Sequence, residues 1–132
     1  MNKIACTLLV DDDETANYLN ELLFKRLAVT EKLLVARNGL EALTVISQNC
    51  PSKSCPALIL LDINMPIMDG FEFLSAYQQL DLDQKQSIVI IMLTTSLNPR
   101  DLEKVQQANI AGIINKPLTK KALLDIMDQH FS

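Results

Sequence analysis

Three carboxylates stand directly after apolar segments of the sequence. Asp62 follows the apolar run 58–61, and Asp11 and Asp12 follow the largely apolar segment 4–10. Continuous apolar runs of this length are typical of strands buried on both faces of a parallel sheet. Ligands of such sheets bind at the carboxyl ends of the strands. The three carboxylates are therefore predicted to share one site if their strands are neighbours.

Carboxylates placed this close together favour a bound cation. Their mutual repulsion in a partly desolvated site raises pKa values and costs stability unless a cation is present. Hard oxygen ligands suit Mg²⁺, which usually keeps several waters and takes one or two carboxylates. We expect Asp12 to bind Mg²⁺ directly and Asp11 to bind it directly or through water. Asp62 and the backbone carbonyl of Asn64 complete the predicted set of ligands.

A hydroxyl and an ammonium add to these candidate side chains. Thr94 and Thr95 end the fourth apolar segment, and Lys116 follows the fifth. A carboxylate beside Mg²⁺, with a hydroxyl and an ammonium aimed at the same point, is suited to phosphoryl transfer. In the predicted reaction Asp62 attacks phosphorus and becomes an acyl phosphate. Thr94 donates a hydrogen bond to one phosphoryl oxygen, and Lys116 pairs with another.

Five strands are predicted to alternate with five helices. The strands are predicted at 4–10, 32–36, 57–62, 87–93 and 110–114. Apolar residues spaced three and four apart predict the helices. In the first helix, 14–27, they are Ala16, Leu19, Leu22, Leu23 and Leu27. Pro99 opens the fourth helix, and the fifth is predicted at 122–131. Connections this short require a parallel sheet covered on both faces, and we expect an α/β, doubly wound, five-stranded sheet in the order 2-1-3-4-5.

Length and composition limit the classes of function. The 132 residues suffice for one compact domain and are too few for two, so 1–132 is predicted to be a single domain. A net charge of −4 argues against a nucleic-acid partner, which would need clustered Lys and Arg. No apolar run approaches the roughly 18 residues that span a membrane, and the N-terminus does not look like a signal peptide. We expect a cytoplasmic protein without membrane contact, with reduced thiols at Cys6, Cys50 and Cys55.

Taken together, five motifs of the sequence resemble those of the response-regulator receiver domain of bacterial two-component signalling, in its single-domain, chemotaxis-regulator-like form. They are Leu-Leu-Val-Asp-Asp-Asp (8–13), Asn-Gly-Leu-Glu-Ala-Leu (38–43), Leu-Asp-Ile-Asn-Met-Pro-Ile-Met-Asp-Gly (61–70), Met-Leu-Thr-Thr (92–95) and Asn-Lys-Pro-Leu (115–118). The motifs occur in the family's order and cover nearly the whole chain. As a set they are highly specific, whereas any one alone would be weak.

The resemblance implies a flavodoxin-like fold and a signalling domain rather than an enzyme. It implies that a histidine kinase or a His-containing phosphotransfer protein phosphorylates Asp62, that Mg²⁺ is required, and that water slowly removes the phosphoryl group. Thr94, Thr95 and Lys116 would bind the phosphoryl group and start the switch. Output would reach a downstream protein target through the fourth helix, fifth strand and fifth helix, where a homodimer could also form. We expect a receiver domain with no output domain.

Position 113 departs from the family's pattern. Three residues before the lysine, the family commonly carries Tyr or Phe, whose ring swings inward as the hydroxyl of the fourth strand moves to the phosphoryl group. Ile113 has neither a ring nor a hydroxyl, so a hydroxyl-to-ring switch cannot operate in that form. We expect the fourth helix and its preceding loop, 96–100, to carry more of the change.

Two other interpretations of the sequence stay open. The segment 11–15 also fits the Asp-x-Asp-x-Thr signature of haloacid-dehalogenase-like phosphatases, with Asp11 as nucleophile and Asp13 as general acid and base. Such an enzyme needs an acidic pair at a strand end after the lysine, and the candidates Asp125 and Asp128 lie on a predicted helix. The third class is a binding module that is not phosphorylated and acts through protein contacts alone.

Overall fold

The computed structural model describes residues 3–49, 57–79, 88–95, 99–108 and 110–131. Its strands are β1 (Ile4–Val10), β2 (Thr30–Ala36), β3 (Leu58–Asp62), β4 (Val89–Thr94) and β5 (Gly112–Asn115). Its helices are α1 (Glu14–Leu27), α2 (Gly39–Asn49), α3 (Gly70–Gln78), α4 (Pro99–Gln107) and α5 (Lys120–His130). Within these ranges, no helix has both the length and the apolar character needed to cross a membrane.

The strands form one parallel sheet in the order β2-β1-β3-β4-β5. This order confirms the prediction and gives the doubly wound, flavodoxin-like arrangement. β2 and β3 lie on opposite sides of β1, so the order in which successive strands are added to the sheet changes direction after β2. β1 and β3 therefore flank the switch point, which is where open α/β sheets bind their ligands.

The central strand β3 needs cover on both faces because its side chains alternate. Leu58 and Leu60 pack in the same cluster as residues of α1 and α5. Ile59 and Leu61 pack in a second cluster with residues of α2 and α3. Successive side chains of a strand point to opposite faces of the sheet. All residues of β3 are buried, so Asp62 is held at the end of a strand that is enclosed along its whole length.

The inner face of α1 differs from the predicted apolar stripe. The prediction was wrong for Leu19, which is 56% exposed, and for Leu22, which is also exposed. The buried residues of this helix are Asn17 and Phe24, and Leu23 packs partly against the core. Positions 17 and 24 are nearly two helical turns apart and share one side of the helix. The stripe was misplaced because it was drawn from leucines and alanine alone, without Asn17 and Phe24.

The ends of some elements also differ from the predicted ones. β5 begins at Gly112 rather than at 110, because the N–H of Ile110 donates to the carbonyl of Ala108 at 3.1 Å instead of to the sheet. β2 begins at Thr30 rather than at 32, since an edge strand does not need a continuous apolar run. α5 begins two residues earlier than predicted, at Lys120. The predicted start of the fourth strand, 87, lies outside the described residues.

Candidate functional site

The carboxyl edge of the sheet brings predicted site residues together. Asp11 directly follows β1, Asp62 ends β3 and Thr94 ends β4. The strand register pairs Val10 with Leu61, so Asp11 and Asp62 occupy equivalent positions on neighbouring strands. Asp62 in turn pairs with the residue before Thr94. The three side chains therefore start from adjacent points of one sheet edge.

Asp11, Asp12 and Asp62 form a cluster of carboxylates. Each offers one carboxylate oxygen, and these three oxygens lie within 4.8 Å of one another. Asp11 is 3% exposed and Asp62 is 8% exposed, whereas Asp12 is open to solvent. The cluster therefore has two enclosed carboxylates at its base and a third at its mouth.

Lys116 supplies positive charge to this cluster. Its Nζ lies 2.5 Å from Oδ2 of Asp11 and 3.4 Å from Oδ1 of Asp62. Its backbone N–H donates to the carbonyl of Thr94 at 2.7 Å, which joins the segment after β5 to the end of β4. The Lys116–Pro117 peptide bond is cis. Lys116 thus comes from the segment after β5 and binds carboxylates that belong to the ends of β1 and β3.

The cluster carries an excess of negative charge. Burial, followed by the charge of Asp11, raises the pKa of Asp62 from 3.8 to about 6, against the opposing effect of Lys116. Burial would lower the pKa of Lys116, but its hydrogen bond to Asp11 and the charges of both carboxylates give a net increase. Lys116 is therefore protonated at neutral pH. Three carboxylates and one ammonium leave a formal charge of −2.

The donor set of this cluster fits a divalent cation. Carboxylate oxygens are hard ligands of the kind that Mg²⁺ takes in proteins. The raised pKa of Asp62 shows that the cluster would gain from added positive charge, which a bound ion supplies. Asp11, Asp12 and Asp62 are the described residues that could hold such an ion. The carbonyl of Asn64, two residues beyond Asp62, stays a predicted ligand.

Short-range hydrogen bonds order the turn after β1. Oδ1 of Asp11 accepts from the N–H of Asp13 at 3.0 Å, and Oδ1 of Asp13 accepts from the N–H of Thr15 at 2.9 Å. Asp13 is thereby the N-cap of α1. The N–H of Asp11 donates to the carbonyl of Ala36 at 3.1 Å, which extends the pairing of β1 with β2. One oxygen of Asp11 thus orders the turn while the other binds Lys116.

Hydrogen bonds fix the loop between β3 and α3 to the start of α3 and to the start of α2. Asp69 caps α3, and its side chain and that of Glu72 form a reciprocal capping box. The N–H of Gly39 donates to the carbonyl of Met68 at 2.9 Å, which ties the loop to the start of α2. The predicted turn followed by a helix start at 69–70 is confirmed. The loop that follows Asp62 is thus fixed to two helices.

Ile67, within this loop, has a strained backbone. The N–H of Met68 donates to the carbonyl of Pro66 at 2.7 Å and closes a three-residue turn, in which Ile67 has a φ of 68°. A β-branched residue at positive φ is a genuine outlier, and a turn of this type is rare and strained. The side chain of Ile67 is 75% exposed, so burial does not offset the strain. Strain of this kind recurs beside functional sites.

Replacing Ile67 with Asn is expected to raise the free energy of unfolding by about 1 kcal/mol, because asparagine tolerates positive φ at a lower steric cost. Urea denaturation followed by circular dichroism measures the difference. Leu40→Asn is the matched control, since Leu40 is also an exposed apolar residue but has no positive φ. The control should give no increase, and equal stabilities for Ile67→Asn and wild type would mean that the turn stores no strain.

The other predicted site residues lie at different depths. Thr94 is buried, with 1% of its surface exposed. Thr95 directly follows β4 and is exposed, as is Asn64 in the loop after β3. Ile113 lies on β5, pairs with Met92 and is exposed. Thr94 is thus enclosed at the end of β4, whereas the side chain of Ile113 on β5 is open to solvent.

Asn17 was not predicted as a site residue from the sequence, yet in the structure its side chain binds the backbone of Asp11. It is buried near the start of α1, and its Nδ2 donates to the backbone carbonyl of Asp11 at 2.8 Å. Its position in the sequence could have identified it, because it lies six residues after Asp11 in a helix that must pack against the end of β1. Its polarity obscured that signal, because polar residues of an amphipathic helix are usually assigned to the solvent side.

The fold and the site define a doubly wound α/β domain with an acidic edge at its switch point. The family model for the response regulator receiver domain matches residues 7–128. The chain belongs to the response regulator receiver domain family, as its motifs indicated. It is therefore a signalling domain of the two-component type, and receiver domains generally bind Mg²⁺ at an acidic pocket of this kind.

Individual relatives and solved structures agree with this assignment. Chemotaxis protein CheY of Halobacterium salinarum is 33% identical over 119 residues, which cover 89% of each chain. Hybrid signal transduction histidine kinase B of Dictyostelium discoideum is 31% identical over 98% of this chain, which spans 7% of that protein. The crystal structure of a two-component response regulator from Cytophaga hutchinsonii has a TM-score of 0.86 and 29% identity, with 97% of both chains covered. The similarity thus extends over almost the whole chain.

Proposed function

We propose that this chain is a cytoplasmic response-regulator domain that is phosphorylated on Asp62 and then changes its contacts with a protein target. The phosphodonor is a histidine kinase or a His-containing phosphotransfer protein, and Mg²⁺ is required. One observation carries the proposal: oxygens of Asp11, Asp12 and Asp62 lie within 4.8 Å of one another, and Lys116 binds two of these carboxylates.

In the proposed reaction Asp62 is the nucleophile. Its pKa of about 6 leaves the carboxylate ionised at neutral pH. An Asp62 oxygen bonds to phosphorus while the bond from phosphorus to the imidazole nitrogen of the donor histidine breaks. The imidazole leaves with that electron pair, and Asp62 becomes an acyl phosphate. Attack by water later returns the carboxylate and releases inorganic phosphate.

The metal ligands of the proposal are Asp11, Asp12, Asp62 and the carbonyl of Asn64. Bound Mg²⁺ supplies positive charge to the phosphoryl oxygens, which is the main requirement of phosphoryl transfer. Asp12 is exposed and can bind an ion that keeps several waters. Asp11 is buried and bound to Lys116, and in the proposal it is a ligand either directly or through water.

Lys116 and Thr94 bind the transferred group in this proposal. Nζ of Lys116 is 3.4 Å from Oδ1 of Asp62 and needs a small movement to pair with a phosphoryl oxygen instead. The hydroxyl of Thr94 donates to a second oxygen, with Thr95 next to it on the chain. Together they neutralise charge that is spread over the three equatorial oxygens of the phosphoryl group.

The proposed output surface consists of α4, β5 and α5 and contacts the target or a second copy of the chain. Ile113 has no ring that could move inward, so the change is proposed to pass through α4. Nζ of Lys104 on α4 lies 5.2 Å from the ring centroid of Phe71, near the start of α3. This contact links α4 to the helix that follows the Asp62 loop. Of the loop expected to carry the change, 96–98 lie outside the described residues.

Intact-protein mass spectrometry tests the proposed function. Incubation with acetyl phosphate and Mg²⁺ is expected to add one phosphoryl group, and excess EDTA is expected to prevent the addition. Borohydride reduces an aspartyl phosphate to homoserine, so tandem mass spectrometry of the reduced protein locates the modified residue. We expect homoserine at position 62. No adduct, or a stable adduct at a different residue, would contradict the assignment.

The phosphatase interpretation has less support than the receiver interpretation. The carboxylate of Asp13, which it needs as a general acid and base, accepts from the N–H of Thr15 as the cap of α1. Asp125 and Asp128 lie on α5 and not at a strand end. Turnover of a chromogenic phosphate ester that is lost in Asp11→Asn would nevertheless favour the phosphatase. Neither an adduct nor turnover would favour a binding module that is not phosphorylated.

A further inference from the structure

Asn17 is a buried polar residue that the proposed reaction does not use. It is 5% exposed and lies on the side of α1 that packs against the sheet. Its Nδ2 donates to the carbonyl of Asp11 at 2.8 Å and makes a longer contact, 3.5 Å, with the carbonyl of Ala36. These carbonyls belong to the ends of two adjacent strands, β1 and β2. Asn17 therefore fixes the ends of these strands from a helix.

The bond to Asp11 acts on the peptide that carries Asp12. The carbonyl of Asp11 and the N–H of Asp12 belong to the same planar peptide group, so holding the carbonyl sets the direction in which the chain enters Asp12. The backbone N–H of Asn17 donates to the carbonyl of Asp13 at 3.1 Å. Side chain and backbone of Asn17 thus hold the residues on either side of Asp12, whose own side chain is exposed.

The energetics of Asn17 also favour a role in geometry. Its Oδ1 is buried and has no hydrogen-bond partner among the described residues, and an unsatisfied buried acceptor lowers the stability of the folded state. The amide cannot be turned over without placing Oδ1 against the carbonyl of Asp11. The side chain therefore makes one good hydrogen bond through Nδ2 and leaves Oδ1 unsatisfied. An apolar side chain would pack α1 against the sheet without leaving such an unsatisfied atom.

We propose that Asn17 is a positioning residue that orients the Asp11–Asp12 peptide and thereby sets the affinity of the acidic cluster for Mg²⁺. This inference rests on the proposed function, because it assumes that the cluster binds the ion. Asn17 does not touch the ion, since its Nδ2 is directed at backbone carbonyls. Residues that hold metal ligands in place without binding the metal typically change metal affinity about 10- to 100-fold when they are replaced.

Isothermal titration calorimetry of the whole chain with MgCl₂ tests the inference. Asn17→Ala is expected to weaken Mg²⁺ binding about tenfold relative to wild type. Asn17→Ser, whose side chain is too short to reach the carbonyl of Asp11, should show the same loss. The second variant retains a polar group at this position, so the test does not depend on one variant remaining folded. Urea denaturation of the metal-free proteins measures their stability in parallel.

Thr30→Ala is the matched control for the Asn17 variants. The hydroxyl oxygen of Thr30 lies 3.1 Å from the carbonyl oxygen of Ile4 and 3.0 Å from that of Lys32, and it accepts from the hydroxyl of Thr7 at 2.9 Å. This side chain therefore also contacts a backbone carbonyl of β1, but at the end remote from the cluster. We expect it to lower metal-free stability, because the hydrogen bonds of Thr30 are lost and the buried hydroxyl of Thr7 loses its acceptor. Its affinity for Mg²⁺ should stay within twofold of wild type.

The outcomes separate this inference from the proposed function. If both Asn17 variants bind Mg²⁺ with wild-type affinity but are less stable, Asn17 is a structural residue. This result would overturn the inference and leave the proposed function unaffected. An equal loss of affinity in Thr30→Ala would also overturn it, because the effect would then follow general destabilisation. Absence of Mg²⁺ binding in the wild type would refute the metal site of the proposed function, and the inference with it.

Discussion

The Asp62→Asn variant is expected to accept no phosphoryl group and, without Mg²⁺, to be more stable than the wild type at neutral pH. Asparagine cannot act as the nucleophile, so the adduct formed with acetyl phosphate and Mg²⁺ should disappear. Its side-chain oxygen can still accept from the N–H of Ile63, as Oδ1 of Asp62 does at 2.9 Å. The substitution therefore removes a charge from the cluster while it preserves the local hydrogen bond.

The stability effect has a defined dependence on pH. The pKa of Asp62 is raised from 3.8 to about 6 in the folded state, so between these values the folded state binds more protons than the unfolded state. The contribution of Asp62 to the stability of the wild type therefore falls as the pH rises from about 4 to about 6, and this loss is complete above pH 6. Asp62→Asn lacks this loss. Its advantage is expected to reach about 1–2 kcal/mol above pH 6, after a discount for solvent screening, and to vanish near pH 4.

Urea denaturation in EDTA across this pH range measures the predicted advantage of Asp62→Asn, and intact mass measures the adduct. Asp125→Asn is the matched control, because it removes the same charge from an exposed position on α5. The control should keep the adduct and the pH profile of the wild type. An advantage for Asp62→Asn that does not depend on pH would show that ionisation of the buried Asp62 carboxylate is not its cause. A remaining adduct would remove Asp62 from the proposed reaction.

The Gly70→Ala variant is expected to lose about 2–3 kcal/mol of unfolding free energy, as overpacked sites commonly do, and to bind Mg²⁺ more weakly. A Cβ at position 70 would lie 2.6 Å from the carbonyl oxygen of Asp62 and 3.1 Å from the Cα of Ile63. Both are backbone atoms at the end of β3, so relief of the clash would displace Asp62. The gain of about 1 kcal/mol that alanine brings to a helix does not offset this clash.

Gly112→Ala provides the control for Gly70→Ala. A Cβ at Gly112 would meet the Cδ1 of Ile91 at 3.6 Å, which is an ordinary contact distance. Its stability should stay within about 0.5 kcal/mol of wild type, as for most substitutions away from special features. Thermal denaturation with and without Mg²⁺ compares the two variants. If Gly70→Ala matched Gly112→Ala in stability and in its response to Mg²⁺, the close approach of α3 to Asp62 would have no consequence.

The strand order could be predicted from the sequence because it depends on local patterns. Apolar runs that end at Asp11 and Asp62 mark buried parallel strands, and short crossovers leave few permitted topologies. Once β1 and β3 are neighbours, their carboxylates must lie close together. The composition of the cluster therefore followed from the fold, and the family match over residues 7–128 agrees with it.

Side-chain contacts and backbone strain could not be predicted in the same way. That Lys116 lies closer to Asp11 than to Asp62 depends on rotamers and on the path of the chain after β5. The burial of Asn17 depends on the rotation of α1 about its own axis, which the sheet surface sets. The turn signals at 66–70 predicted a loop, but a positive φ falls on Ile67, a residue type that rarely adopts it.

The two bonds of Lys116 imply that this side chain is preorganised. It is 18% exposed and bound to Asp11 and Asp62, so most of its conformational freedom is lost when the domain folds. Ordering a free lysine costs up to about 2 kcal/mol of rotamer entropy, and in the proposed reaction that cost would not recur when a phosphoryl group is transferred to Asp62. Little reorganisation is therefore needed on the lysine side of the site. The difference between resting and phosphorylated states should be concentrated at Thr94 and α4.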